Sequence, residues 1–247
     1  MIADIFTVMW KEIRELSLQR SGLRGGRVGL LVLIAVFGIL LPLQSGRDWL
    51  TAPTTILLWA WVPFILVNSV VADSFAGERE RHTLETLLAS RLSDRAILIG
   101  KIFSAIAYGW GITLIGVVVA LVTINIAHGD GELLFFPPLN GIAIFTLSFL
   151  IAWLAAGLGV LVSLRATSVR QAQQTLSLAF LFLFVPLLIL PLFPENIQAT
   201  AVNALQGFDY QAFAIIITVI LLVLDLVLLG VAMRRFNRAR LILNNQS

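Results

Sequence analysis

SFAGERERHTLETLLASRLSDRAILIGK, residues Ser74 to Lys101, is the longest polar interruption in a chain that is otherwise mostly apolar. It packs both signs of charge into one block: Glu78, Arg79, Glu80, Arg81, Glu85, Arg91, Asp94, Arg95 and Lys101. Leu84, Leu87, Leu88, Leu92, Ala96 and Ile99 recur at steps of three and four. That is the helical repeat, so the stretch reads as a charged rod with one apolar stripe. A rod of that kind lies on a membrane surface or docks on another protein.

The rest of the chain decides what holds the rod. Of 247 residues, 59% are hydrophobic and 13% charged, about half the charge of a soluble domain. The apolar runs are long and continuous, which excludes the short alternating segments of a β-barrel. The fold class is all-α: a polytopic membrane protein, one transmembrane domain over residues 1–247. The net charge of +3 sits where membrane topology wants it, so no nucleic-acid partner is expected. Cysteine is absent, which removes disulfide, thiol and Cys-based metal chemistry.

In chain order, residues 1–27 read as a mature amphipathic helix lying in the membrane interface. Ile2, Ile5, Phe6, Met9, Ile13 and Leu16 share one side, and Lys11, Glu12, Arg14 and Glu15 face the other. Six spans follow, at about 28–43, 54–72, 102–127, 139–164, 175–193 and 211–233, with the rod at 74–101 between spans two and three. Sixteen of the 17 Lys and Arg residues fall in alternate non-membrane segments. The positive-inside rule then puts both termini, the rod and the link RATSVRQAQQ (165–174) in the cytoplasm, in a multi-pass inner (plasma) membrane protein. Ala105, Gly109 and Thr113, and Ala155, Gly159 and Ser163, are small residues four apart. They read as packing faces, chiefly within the subunit.

Catalytic constellations are missing. Gly100-Lys101 has Arg95 where a phosphate-binding loop needs its first Gly. His82 and His128 fall on opposite sides of the expected membrane. No metal site and no enzymatic activity are expected of this chain. Asp225, inside ILLVLDLVLLG, is the one ionisable residue within an expected span, where a carboxylate costs about 3 kcal/mol on insertion scales. Two readings stand side by side: a substrate or cation contact, or a structural hydrogen bond to Asn68 or to span four.

The rod also carries a resemblance. Glu80, Arg81, Thr83, Leu84, Glu85, Leu87, Leu88, Gly100 and Lys101 match in order the signature that follows the second span of ABC type-2 permeases. The Gln-rich link before span five (Gln171, Gln173, Gln174) and the six-span plan are similar too. The segment between spans five and six is short, so any gate built there is small. The resemblance implies the membrane subunit of an ATP-driven exporter, forming half of a translocation path. It implies a coupling helix whose contact with a separate ATPase subunit is made by Glu78, Arg79, Glu80, Arg81, Thr83, Leu84, Glu85, Leu87 and Leu88. A second cytoplasmic contact falls at Arg165, Arg170 and Gln171. Two ATPase copies, with ATP and Mg bound on them and no cofactor on this chain, and a second permease (identical or related) are the implied partners, besides membrane lipid. Asp225 and Asn68 are the candidate substrate-path residues. The alternative function is a non-transporting anchor whose rod recruits a cytoplasmic partner.

Overall fold

The computed structural model describes residues 2–22, 24–83, 91–189, 194 and 210–236; side chains at 17–22, 24–27, 179, 180, 182–189 and 210–213 lie outside that description. Among the described residues the chain is helical with no strand. We number the helices α1 (Ile2–Gly22), α2 (Arg24–Ala35), α3 (Leu41–Ser45), α4 (Asp48–Thr51), α5 (Pro53–Glu80), α6 (Asp94–His128), α7 (Pro138–Ser163), α8 (Val169–Ile189) and α9 (Tyr210–Arg235). A single π-helical turn, Val36–Leu40, joins α2 to α3.

Among the described residues, five helical segments are long and apolar enough to cross a membrane: Val28–Ser45, Pro53–Glu80, Asp94–His128, Pro138–Ser163 and Ala214–Arg235. The expected fifth span, 175–193, begins inside α8, and its last residues lie outside the described ones.

Helix α5 is the centre of the bundle. Trp59, Val62, Val67, Val71 and Phe75 along it are buried, and α6, α7 and α8 all pack on it. In lipid there is no hydrophobic drive to bring helices together, so close backbone approach has to supply the contact. The small residues provide that approach. A Cβ on Gly109 of α6 would run into Val67, and one on Gly159 of α7 would sit 2.7 Å from Val71 Cγ1. The four-residue small stripes are therefore seams against α5 inside one subunit, as expected.

The two ends of the bundle differ. At one end Arg47 donates to Asp130 Oδ2 at 3.0 Å and to the His128 carbonyl at 3.2 Å, joining the turns that follow α3 and α6. The other end gathers α1, the close of α5, the start of α6 and the α7–α8 link, and it carries most of the Lys and Arg.

Three sequence expectations are corrected here. Residues 74–101 do not form one rod. Helix α5 runs on through Glu80, the chain turns at residues 81–83, and α6 begins at Asp94. The cause is a helix stop of the Schellman type: Thr83 N–H donates to the Glu78 carbonyl, and His82 N–H to that of Arg79. His82 takes the left-handed conformation there, with φ 55°. Ser93 then restarts the helix, its Oγ accepting from Ala96 N–H at 3.2 Å as an N-cap.

Second, Glu78 and Arg81, whose three-residue spacing reads as an ion pair along a helix, do not pair. Glu78 is buried against Lys101, and Arg81 reaches back to Asp73 at 3.2 Å. Third, Glu12 does not face away from the bundle, because it too meets Lys101. The outward stripe of α1 is Ile2, Phe6 and Trp10, while Val8 is buried and lies against Gly100.

Candidate functional site

The basic end is assembled around the turn at residues 81–83, which is clamped on both flanks. On one flank stands Lys101, a lysine buried in the second turn of α6. Its Nζ donates to Glu12 Oε1 at 2.9 Å, to the Ser74 carbonyl at 3.0 Å and to Glu78 Oε1 at 2.9 Å. An ammonium has three protons, and all three find acceptors. The charge also lies 5.3 Å from the centre of the Phe75 ring, within cation–π range. Two carboxylates on one cation leave the cluster negative. Lys11, 3.9 Å from Glu12 Oε1 and 3.4 Å from Glu15 Oε1, brings a second cation to the rim together with a third carboxylate. One side chain thus ties α1, α5 and α6 together.

On the other flank α5 is fastened to the α7–α8 link. Arg79 donates to the Leu164 carbonyl at 3.1 Å and to the Ala166 carbonyl. Glu80 Oε1 accepts from Val169 N–H at 2.9 Å, so its carboxylate caps the positive end of α8. Ser163 Oγ, at the close of α7, accepts from Phe75 and Ala76 N–H and donates to the Ala72 carbonyl at 3.1 Å.

Of the residues expected at a partner contact, Glu78 and Arg79 are committed inward and Glu80 to the neighbouring helix. Thr83 Oγ1 lies 3.3 Å from the Glu78 carbonyl and belongs to the helix stop. Arg81 is partly exposed beside Asp73. Leu84, Glu85, Leu87 and Leu88 lie outside the described residues. Arg165, Arg170 and Gln171 are exposed. Gln171 Oε1 accepts from both the N–H and the hydroxyl of Thr167 at 2.8 Å. Lys101 and Glu12 were not among the expected site residues. A lysine one residue past a glycine at the mouth of an apolar run was the available signal.

Asn68 and Asp225 are not brought together. Asn68 lines a cleft of about 300 Å³ between α5 and α8, with Phe64, Ile65, Ser69, Gln173 and Ser177. Its Oδ1 is buried without a hydrogen-bond partner among the described residues. Asp225 lies in α9, which packs on α7 with Leu228 beside Gly157. Asp225 is fully buried, and neither carboxylate oxygen has a partner among the described residues. Neither hydrogen bond weighed for Asp225, to Asn68 or to span four, is formed among the described residues. No group of three or more His, Cys, Asp or Glu suited to a metal ion occurs among the described residues.

A family model described as ABC-2 type transporter matches residues 3–189, from the first turn of α1 to the end of α8. No curated protein matches the chain.

Proposed function

Because the chain belongs to the ABC-2 type transporter family and is a multi-pass permease subunit that works with an ABC ATPase subunit, we propose that it serves an ATP-driven exporter of the inner membrane. In this reading the basic end is cytoplasmic and residues 84–90 seat in the ATPase subunit. Two ATPase copies carry ATP and Mg, and two permease chains, identical or related, enclose the path.

The single observation that carries the coupling role is the clamped turn. Lys101 fixes the turn to α1 and α6, and Arg79 with Glu80 fixes it to α7 and α8. A push on residues 84–90 would therefore reach the ends of several helices at once, as a rigid-body displacement. Packed helix ends joined by buried ion pairs transmit such a displacement, where a solvated loop would absorb it. Arg170 stands exposed beside this turn as a second point of contact. The α5–α8 cleft at Asn68 is the proposed wall of the substrate path. It offers four polar side chains, Asn68, Ser69, Gln173 and Ser177, beside the apolar Phe64 and Ile65.

The test is ATPase stimulation in the reconstituted complex. Leu87→Ala with Leu88→Ala, or Glu85→Lys, should abolish stimulation of the ATPase by the permease while membrane insertion and chain stability stay as in the wild type. Normal stimulation in these variants would remove the coupling role. Recruitment of a partner without any nucleotide-dependent transport would leave the anchor reading in its place.

A further inference from the structure

Arg165 and Arg235, 70 positions apart in sequence, line one cleft at the basic end of the bundle, of about 380 Å³. Three helices contribute to it: Leu161 and Val162 from α7, Gln171 from α8, and Val231 with Arg235 from the last turns of α9; Arg165 stands just past the close of α7. Two features define what fits.

The first is charge. Both arginines are exposed, and neither has an ion-pair partner among the described residues. Gln171 adds an amide whose oxygen is already taken by Thr167.

The second is the order along the helices. Leu161 precedes Arg165 by four residues, and Val231 precedes Arg235 by four. Residues four apart stack on one helix face. Val231 and Arg235 share a face of α9, and Arg165 lies in the turn that closes α7, so each wall presents an apolar side chain nearer mid-helix and a guanidinium toward the helix end. That is the polarity of a phospholipid lying along its leaflet: acyl chain below, phosphate above.

We propose that this cleft holds one anionic phospholipid, its phosphate forked between Arg165 and Arg235 and an acyl chain along Leu161 and Val231. Guanidinium groups match phosphate oxygens in bidentate geometry. A choline headgroup would set its own cation against two others, so the site selects for net negative lipid. The assignment rests on the helices crossing a bilayer and not on transport. It also gives Arg165 a role other than the ATPase contact expected from sequence.

The experiment is native mass spectrometry of the purified full-length chain with its partners, offered phosphatidylglycerol or phosphatidylcholine. The expected result is one phosphatidylglycerol retained per chain, with phosphatidylcholine displaced first. Arg165→Gln and Arg235→Gln should each lower retention about fivefold, and Arg170→Gln should leave it unchanged. Val231→Trp, which fills the cleft without touching charge, should lower retention as well and covers the case in which an arginine variant fails to fold. Equal retention of phosphatidylcholine, or wild-type retention in the folded arginine variants, would overturn the proposal. Displacement by glycerol phosphate alone would also overturn it, making a soluble phosphate ester the ligand.

Discussion

Lys101 Nζ lies 2.9 Å from Glu78 Oε1, joining across 23 residues the two helices that bracket the turn at 81–83. Both side chains are buried. A buried ion pair adds little net stability when intact, because desolvation offsets the attraction. Removing one partner is a different matter, since it leaves the other charge buried alone. Lys101→Ala strands Glu78 and most of Glu12 and should cost about 3 kcal/mol or more. Lys101→Met with Glu78→Gln and Glu12→Gln keeps the volume, removes all three charges and should recover much of that loss. Thermal unfolding in detergent reads both. A loss below about 1 kcal/mol in Lys101→Ala would mean the cluster is solvated in the membrane.

The helix stop gives a second expectation. His82 holds φ 55°, a region that favours glycine. His82→Gly should therefore be neutral or stabilising by up to about 1 kcal/mol. His82→Val, β-branched at a left-handed position, should loosen the turn. Limited proteolysis within residues 84–90 is the readout. Faster cleavage of the glycine variant, or unchanged cleavage of the valine variant, would show that the turn is not set by this residue.

These two sites also show what the sequence made legible. Runs of apolar residues located the membrane crossings, and the four-residue small stripes located the seams with α5. Both are local patterns that lipid or a close neighbour reads directly. Hydropathy does not read where a helix stops, however. Spans expected at 54–72 and 102–127 are parts of helices that extend to Glu80 and start at Asp94. Backbone hydrogen bonding continues past the hydrocarbon, and no apolar signal marks its end. The break at His82 carried no Gly, Asn or Pro to announce it, so the charged run before it and the leucine spacing after it read as one rod. The partners of Glu12, Glu78 and Arg79 are long-range, and nothing in local spacing distinguishes a carboxylate facing water from one facing Lys101.

The seams carry a third expectation. A Cβ on Gly159 would stand 2.7 Å from Val71 Cγ1 and 2.9 Å from Val71 Cβ. Gly159→Ala should therefore push α7 off α5 and cost about 1–3 kcal/mol, the usual range for overpacking. Val71→Ala alone opens a small void there. The double variant Gly159→Ala, Val71→Ala should be more stable than Gly159→Ala by itself, a positive coupling between neighbours. Independent, additive losses in detergent melts would place the two residues out of contact.

Asp225 gives the last. Its carboxylate is fully buried in α9, and neither oxygen has a hydrogen-bond partner among the described residues. An apolar side chain would fill the position without that penalty, which is about 3 kcal/mol for a carboxylate at mid-membrane depth on insertion scales. A residue kept at such a cost is expected where activity needs it. Asp225→Leu should accordingly raise the melting temperature while lowering substrate-stimulated ATP hydrolysis by the complex, and Asp225→Asn should lower stimulation with a smaller gain in stability. The two readouts separate the two roles of the side chain. A variant that melts lower than the wild type shows that the carboxylate makes a structural bond inside the membrane. A variant that melts higher with stimulation unchanged removes Asp225 from the substrate path.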